Sequence, residues 1–358
     1  MAAAVLTGAQ RLADRLPVPL DATELLTGRA GLLGLPAPGR VSAGGGSRLL
    51  STRDGWLALT LSRPADAEAV PALIEADEVD DDPWPAVTRW AAGRTAAQAV
   101  DRARLLGLPA AIPGETPPAE PTVRRVGARS AVRPLDDLLV VELASLWAGP
   151  LCGRLLTQAG ARVVKVESRA RPDGPRAGAP EFFDWMNAGK LSYANDLGDP
   201  RIRALLAVAD VVIEGSRSAA LARRGLGADR LPPRDGRVWV RITGYGAVGP
   251  PAEWVAFGDD AAVAGGLVGD GPAFLGDAIA DPLTGLRAAV AVAESVSRGG
   301  GELVDIAMAD VAAGYAALPS ESEVALTPRR PRVRGRAAAL GADNAVVDEF
   351  IDVRTAPC

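Results

Sequence analysis

Residues 138–167, LLVVELASLWAGPLCGRLLTQAGARVVKVE, constrain the fold more than any other stretch of this chain. An apolar, β-rich run over 138–143 meets a small-residue loop at Ala148-Gly149-Pro150. The spacing that follows predicts a short amphipathic helix stopping at Gly160, and a second apolar run covers 163–166. This is a strand–loop–helix–strand unit, the repeating element of a parallel α/β sheet. Ligands of such sheets bind outside the carboxyl ends of the strands, where this loop sits. The loop has neither the G-x-G-x-x-G spacing of a dinucleotide fold nor the G-K-S/T of a P-loop. The architecture predicts a nucleotide-like ligand held by other means.

Composition narrows the chemistry. The 358 residues suffice for two domains, and 48% hydrophobic with 23% charged residues describes a globular chain. A net charge of −5 argues against nucleic acid as the main ligand. No apolar run reaches the roughly eighteen residues that span a bilayer, so no membrane association is expected. The N-terminus lacks a basic start followed by an apolar stretch, and the chain reads as cytoplasmic. Cys152 and Cys358 are too few for a disulfide scaffold or an all-cysteine zinc site. The absence of histidine removes Ser-His-Asp, Cys-His and His-zinc mechanisms together. Catalysis must rest on carboxylates, hydroxyls, Lys, Arg or backbone dipoles. Of 39 basic residues only Lys165 and Lys190 are lysines, a bias that a GC-rich genome explains.

Along the chain, residues 1–122 read as a small α+β domain. Residues 49–59 predict two short strands around Asp54-Gly55. The acidic run 75–82 reads as solvated surface. Thr95 and Gln98 form a capping box for a helix over 96–106. The Pro/Ala/Glu stretch 109–121 and residues 123–134 read as a linker. Residues 135–318 alternate strand and helix as a Rossmann-like large domain. Strands are expected at 210–214, 237–242 and 303–308, and helices near 218–224 and over 284–297. Gly-rich 261–271 predicts a helix and turn. Arg298-Gly299-Gly300-Gly301 precedes a strand and not a helix, so it is a connection and not a phosphate loop. The tail, 319–358, reads as loosely structured and packed on a domain.

The pattern V-x-E-L-x-x-x-x-A-G-P followed by G-A-x-V-x-K-V-E resembles the opening of the family III CoA-transferases, which include the α-methylacyl-CoA racemases. Asn187-Ala188-Gly189-Lys190, the run 209–214, Arg223-Arg224-Gly225-Leu226 and Thr243-Gly244-Tyr245-Gly246 continue the series. Asp281-Pro282-Leu283-Thr284-Gly285 and Glu302-Leu303-Val304-Asp305 complete it. The resemblance covers about half the chain. It implies a transferase that moves CoA from an acyl-CoA thioester to a small carboxylic acid, with no permanently bound cofactor. It also implies a homodimer. In the family the Rossmann-like domain comes first; here the segment beginning Asp54-Gly55-Trp56 resembles the smaller domain and precedes it. A circular permutation is the simplest account. Family dimers are interlinked like rings, and a moved break point leaves that interlinking open.

The resemblance places the nucleophile at Asp281, whose carboxylate would attack the thioester. A carboxylate suits covalent catalysis because its acyl derivatives stay reactive. Asp before Pro is also an ordinary helix N-cap, and the two roles are compatible. Trp147, Ala148, Gly149, Pro150, Lys190, Arg223 and Thr243 form the implied CoA-binding set. The small residues would admit the thioester end, and Lys190 and Arg223 would face phosphate and adenine. Ala148-Gly149-Pro150 also reads as a plain turn, and Arg223 as an exposed helix-end arginine. Asp259 stands where the racemases carry histidine, which breaks their catalytic pairing. Gly215 stands where relatives carry Asn, and Asp277 reads as a turn residue. A racemase or epimerase and a non-catalytic acyl-CoA-binding paralogue are the alternative readings.

Overall fold

The computed structural model describes residues 3–215, 221–319 and 327–355. Its centre is a seven-stranded sheet in the spatial order β4-β12-β9-β8-β5-β6-β7. The six strands from β12 to β7 run parallel: β5 (Leu139–Leu143), β6 (Arg162–Glu167), β7 (Leu191–Ala194), β8 (Val211–Glu214), β9 (Val238–Thr243) and β12 (Glu302–Ala307). The chain starts at β5, winds outward through β6 and β7, then returns to lay β8, β9 and β12 on the other side. The direction reverses between β5 and β8, and that is where a doubly wound sheet opens a crevice.

Both faces of β5 are covered, which explains its unbroken apolar run. Leu138, Val140 and Ala144 face one core with Leu151, Leu155, Leu283 and Leu286. Leu139, Val141 and Leu143 face the other with Leu205, Trp239 and Ile351. The first core is roofed by α5 (Ala148–Gln158), α6 (Pro180–Asn187) and α9 (Ala280–Ser297). The second lies under α7 (Pro200–Val208) and α10 (Asn344–Thr355). The tail is therefore more ordered than its composition predicts. Asp343 and Asn344 accept hydrogen bonds from the N–H groups of Ser192 and Ala194, closing the open edge of β7.

Two boundaries move relative to the sequence reading. Helices α1 (Ala3–Ala13) and α2 (Ala22–Leu33) join the first core through Val5, Ala9, Leu25 and Leu26. They pack on the large sheet and not on the small unit, since their apolar stripes match that core. The stretch 123–134 is not only a linker. Strand β4 (Thr122–Arg125) pairs antiparallel with β12, Val123 opposite Val304. Its exposed side chains hide a strand whose stabilisation is all backbone pairing.

The small unit keeps a core of its own around Leu57, Leu59, Val87 and Trp90. It holds the hairpin β1 (Ser47–Ser51) and β2 (Trp56–Thr60), extended by β3 (Ala110–Ala111). Helix α3 (Trp84–Ala92) and helix α4 (Ala96–Leu105) cover it, the latter opened by the expected Thr95–Gln98 capping box. A short hairpin, β10 (Val268–Gly269) with β11 (Ala273–Phe274), follows α8 (Gly258–Ala264). Residues 218–220 of the helix expected near 218–224 lie outside the described residues.

A buried group of four charges pins the centre of the sheet. Glu142 on β5 is fully buried and accepts from Lys165 Nζ at 3.1 Å and Lys190 Nζ at 2.7 Å. Lys165 also meets Asp173 at 2.9 Å and the carbonyl of Ala144 at 2.9 Å. Lys190 donates to Pro150 O at 2.8 Å and Asn187 Oδ1 at 2.9 Å. Two positive and two negative charges balance, and both ammonium groups are saturated. Burial works to raise the Glu142 carboxyl, and the two lysines outweigh it and hold it low. Gly153 on α5 makes room: a Cβ there would lie 2.0 Å from Glu142 Oε2.

Removing one partner strands a buried charge, at a cost of roughly 3–5 kcal/mol. Lys190→Met is expected to lose about that much stability in urea unfolding. Lys190→Arg should also destabilise, because a planar fork cannot replace a compact ammonium here. Wild-type stability in both variants would contradict this account.

Candidate active site

The loops leaving β5, β8, β9 and β12 enclose a cavity of about 340 Å³ at the crevice. Ser145 and Leu146 come from the loop after β5, and Ala148 and Gly149 from the first turn of α5, where the sequence suggested a loop; Gly215 follows β8, Thr243 and Gly244 stand at the end of β9, and Met308 follows β12. Asp281 and Phe257 form the inner wall, with Arg63 and Arg171 among the lining side chains. A larger cavity, about 490 Å³, lies beside Arg154 and Trp185 and contains none of the expected site residues.

Close packing shapes the crevice. A Cβ on Gly149 would fall 2.2 Å from the Ala144 side chain, and one on Gly215 would fall 2.8 Å from the same atom. Glycine at 215 is therefore a steric fit, and the Asn that the family resemblance would place there has no room in this backbone. Gly285 brings α9 against α5, its missing Cβ 2.6 Å from the carbonyl of Ala148. Leu146 and Ala278 hold positive φ angles of 69° and 43°, sparsely populated for residues with a Cβ. Such strain concentrates at functional sites.

Asp281 sits in the first turn of α9 and is not its cap; the N-cap is Ile279. Its Oδ1 accepts from the N–H of Ala148, at 3.3 Å. That N–H opens α5, whose own N-cap, Trp147, offers no side-chain acceptor. The carboxylate from one helix thus serves the N-terminus of another, where the helix dipole favours negative charge. Burial nevertheless pushes the Asp281 carboxyl up to about 7; Ala148 and Arg29 act against the rise, and Asp259 and Asp277 add to it. Gly258 packs on Oδ2, where a Cβ would come within 2.3 Å.

Three more carboxyl groups crowd this turn. Asp259, on α8, accepts from Ser47 Oγ at 2.9 Å and from the N–H of Ala278 at 3.0 Å. Burial raises it as well. Asp260 is fully buried, accepts from Phe257 N at 2.9 Å and Thr60 Oγ1 at 3.1 Å, and is pushed up to about 8 by desolvation. Asp277 is more than the turn residue its Gly-Asp context suggests. It is buried, ion-paired at 2.5 Å with Arg29 Nη1, and raised to about 6 by desolvation. Arg29 comes from α2, 248 positions away, and its guanidinium lies 5.6 Å from the rings of both Trp147 and Phe182. Sequence reading missed it. The one available signal is a lone arginine inside the buried face of α2, between Leu26 and Ala30.

The other expected residues divide. Ala148, Gly149 and Thr243 line the cavity, and Thr243 Oγ1 accepts from Gly246 N at 3.0 Å. Pro150 and Trp147 lie behind it; the Trp147 ring packs edge-on to Phe182 at 5.3 Å. Lys190 corrects the expectation of a phosphate contact, because its ammonium is buried and fully engaged under α5. Arg223 is exposed just past the end of a helical turn and is not among the cavity's lining residues. Among the described residues no cluster of Cys, Asp or Glu has metal-holding geometry, and no helix is long and apolar enough to cross a membrane.

A buried carboxylate on the wall of a switch-point crevice, between tightly packed glycines, marks the candidate site of this mixed α/β protein. A sequence model of CoA-transferase family III matches residues 135–342, more than half of the chain, and the chain belongs to this family. It is 32% identical over 196 residues to the succinyl-CoA–D-citramalate CoA-transferase of Chloroflexus aurantiacus, covering 49% of each chain. It is 32% identical over 231 residues to the succinate–glutarate CoA-transferase of Agrobacterium fabrum, covering 56% of this chain and 57% of that one. A crystal structure of a hypothetical protein from Mycobacterium tuberculosis superposes with a TM-score of 0.48 at 29% identity, over 53% of this chain and 57% of that one. The chain spans about half the length of the curated relatives it matches.

The raised carboxyl groups have a consequence for stability. A carboxyl whose folded pKa exceeds its unfolded value contributes stability below the unfolded pKa and loses it as pH rises through the folded one. For Asp260 that loss runs from the ordinary carboxylate range upward and is complete near pH 8. Asp260→Asn keeps an Oδ1 acceptor and cannot ionise, so it should gain stability relative to wild type between pH 6 and pH 9. Urea unfolding at the two pH values checks this; an unchanged difference would contradict it.

Proposed function

We propose that this protein transfers CoA from an acyl-CoA thioester to a carboxylic acid through covalent catalysis at Asp281. The observation that carries the reading is the Asp281 carboxylate on the wall of the crevice, beside the N-terminal N–H of α5. The carboxylate attacks the thioester carbonyl, and the C–S bond breaks to give a mixed anhydride and CoA thiolate. The thiolate then attacks the aspartyl carbonyl and releases the donor acid, leaving an aspartyl-CoA thioester. The acceptor carboxylate attacks that thioester and forms a second anhydride. The returning thiolate takes its acyl group and regenerates Asp281.

Family membership supports this reading, as do the names of the relatives. Asp259 supports it over a racemase, since its carboxylate is turned to Ser47 and Ala278 and is not among the cavity's lining residues. Arg63 and Arg171 replace Lys190 and Arg223 as candidate phosphate contacts, because they line the cavity and the latter two do not. CoA acts as a substrate here, and no bound cofactor is required. The unit around β1–β3 corresponds in this reading to the family's small domain, moved ahead of the large one by circular permutation. We place the enzyme in the cytoplasm as a homodimer.

Asp281→Ala is expected to lower transfer between acyl-CoA and acid by roughly a thousandfold or more. The wild-type kcat/KM should fall as pH drops through about 7, because the protonated carboxyl cannot attack. Full activity in Asp281→Ala, across a panel of acyl-CoA donors and carboxylic acids, would sink the mechanism.

A further inference from the structure

We infer that Arg29, supplied by the N-terminal helix α2, is a positioning residue that keeps the Asp281 carboxylate charged and aimed at the thioester. The inference rests on the proposed role of Asp281, and it assigns work to a segment outside the matched residues 135–342. Several ionisable groups stand near Asp281. Its own turn contributes Asp277, α8 contributes Asp259 and Asp260, and Arg63 and Arg171 share its cavity. Arg63 is paired with Asp66 at 2.5 Å, and Arg171 is exposed. Among the described residues, Arg29 is the cation ion-paired within this group of acids.

Its placement is built and not incidental. The side chain is three-quarters buried, and its guanidinium lies 5.6 Å from two aromatic rings and bonds Asp277, four residues before Asp281. One of those rings belongs to Trp147, the neighbour of the Ala148 N–H that binds Asp281 Oδ1. Arg29 thus touches both sides of the nucleophile's cradle. Without it, Asp259, Asp277 and Asp281 would face one another across a desolvated turn, and repulsion would favour the protonated acid. A protonated Asp281 cannot form the C–O bond.

The test compares Arg29→Met, Arg29→Lys, Asp277→Asn and the Arg29→Met/Asp277→Asn pair in the full chain. Two readouts are followed against pH: the acid limb of kcat/KM, and carbodiimide labelling of Asp281 by peptide mass spectrometry, which needs no turnover. Arg29→Met should shift both curves upward by about one pH unit or more, as loss of a nearby opposite charge does. Arg29→Lys should recover most of the shift. Asp277→Asn should move both curves down, and the double variant should fall between the single ones. A role in packing alone would lower stability or kcat without moving either curve. Unmoved curves in a folded Arg29→Met, or in Asp277→Asn should Arg29→Met fail to fold, would overturn the inference. Shifted labelling curves together with full transfer by Asp281→Ala would instead overturn the nucleophile assignment and leave the charge role standing.

Discussion

The buried ion group on Glu142 is the constraint on which the crevice depends. Lys165 and Lys190 neutralise it and also donate to the carbonyls of Ala144, where the loop after β5 begins, and Pro150, in the first turn of α5. Asp173 pairs with Lys165 and also accepts the N–H of Leu146 within that loop. The loop is held from below by its carbonyls and from the side by its N–H groups. The Ala148 N–H left facing the crevice meets Asp281. A buried ion pair is weak evidence for net stability, but it fixes geometry well. Here it fixes a backbone segment that lines the crevice.

This constraint also accounts for the two lysines that survive among 39 basic residues. An arginine bias can replace any cation that reaches water. It cannot replace a point charge enclosed by carbonyls and a carboxylate, where a planar guanidinium has no matching acceptors. The second organising feature is the turn from Asp277 to Asp281, where parts far apart in the chain converge. Helix α2 brings Arg29, strands β1 and β2 bring Ser47 and Thr60 onto Asp259 and Asp260, and α5 brings Ala148. The small unit and the N-terminal helices are therefore parts of the site's electrostatics.

The strand–loop–helix–strand unit was legible because its signals are local: an apolar run covered on both faces, small residues at the turn, and Gly160 at the helix end. The crevice followed from parallel-sheet geometry, and Asp281 from its motif. What stayed hidden depends on direction or distance. Lys190 sits in a motif that announces a cation, yet a four-carbon stem can point to water or into the core, and only packing decides. Asp277 follows a glycine in the manner of a turn, yet it is buried and paired with Arg29, which the chain places 248 residues away. Strand β4 has four exposed residues and no apolar alternation; its pairing with β12 is backbone only. The N-terminal helices lie on the large sheet because their apolar faces fit that core, a match that periodicity alone cannot assign.

The most direct test of this account is to incubate the protein with an acyl-CoA, quench with hydroxylamine, and locate the modified residue by peptide mass spectrometry. The account predicts a hydroxamate on Asp281, formed only when acyl-CoA is present and absent from Asp281→Ala. A hydroxamate on another carboxylate, or none in a sample that turns over acyl-CoA and acid, would contradict it.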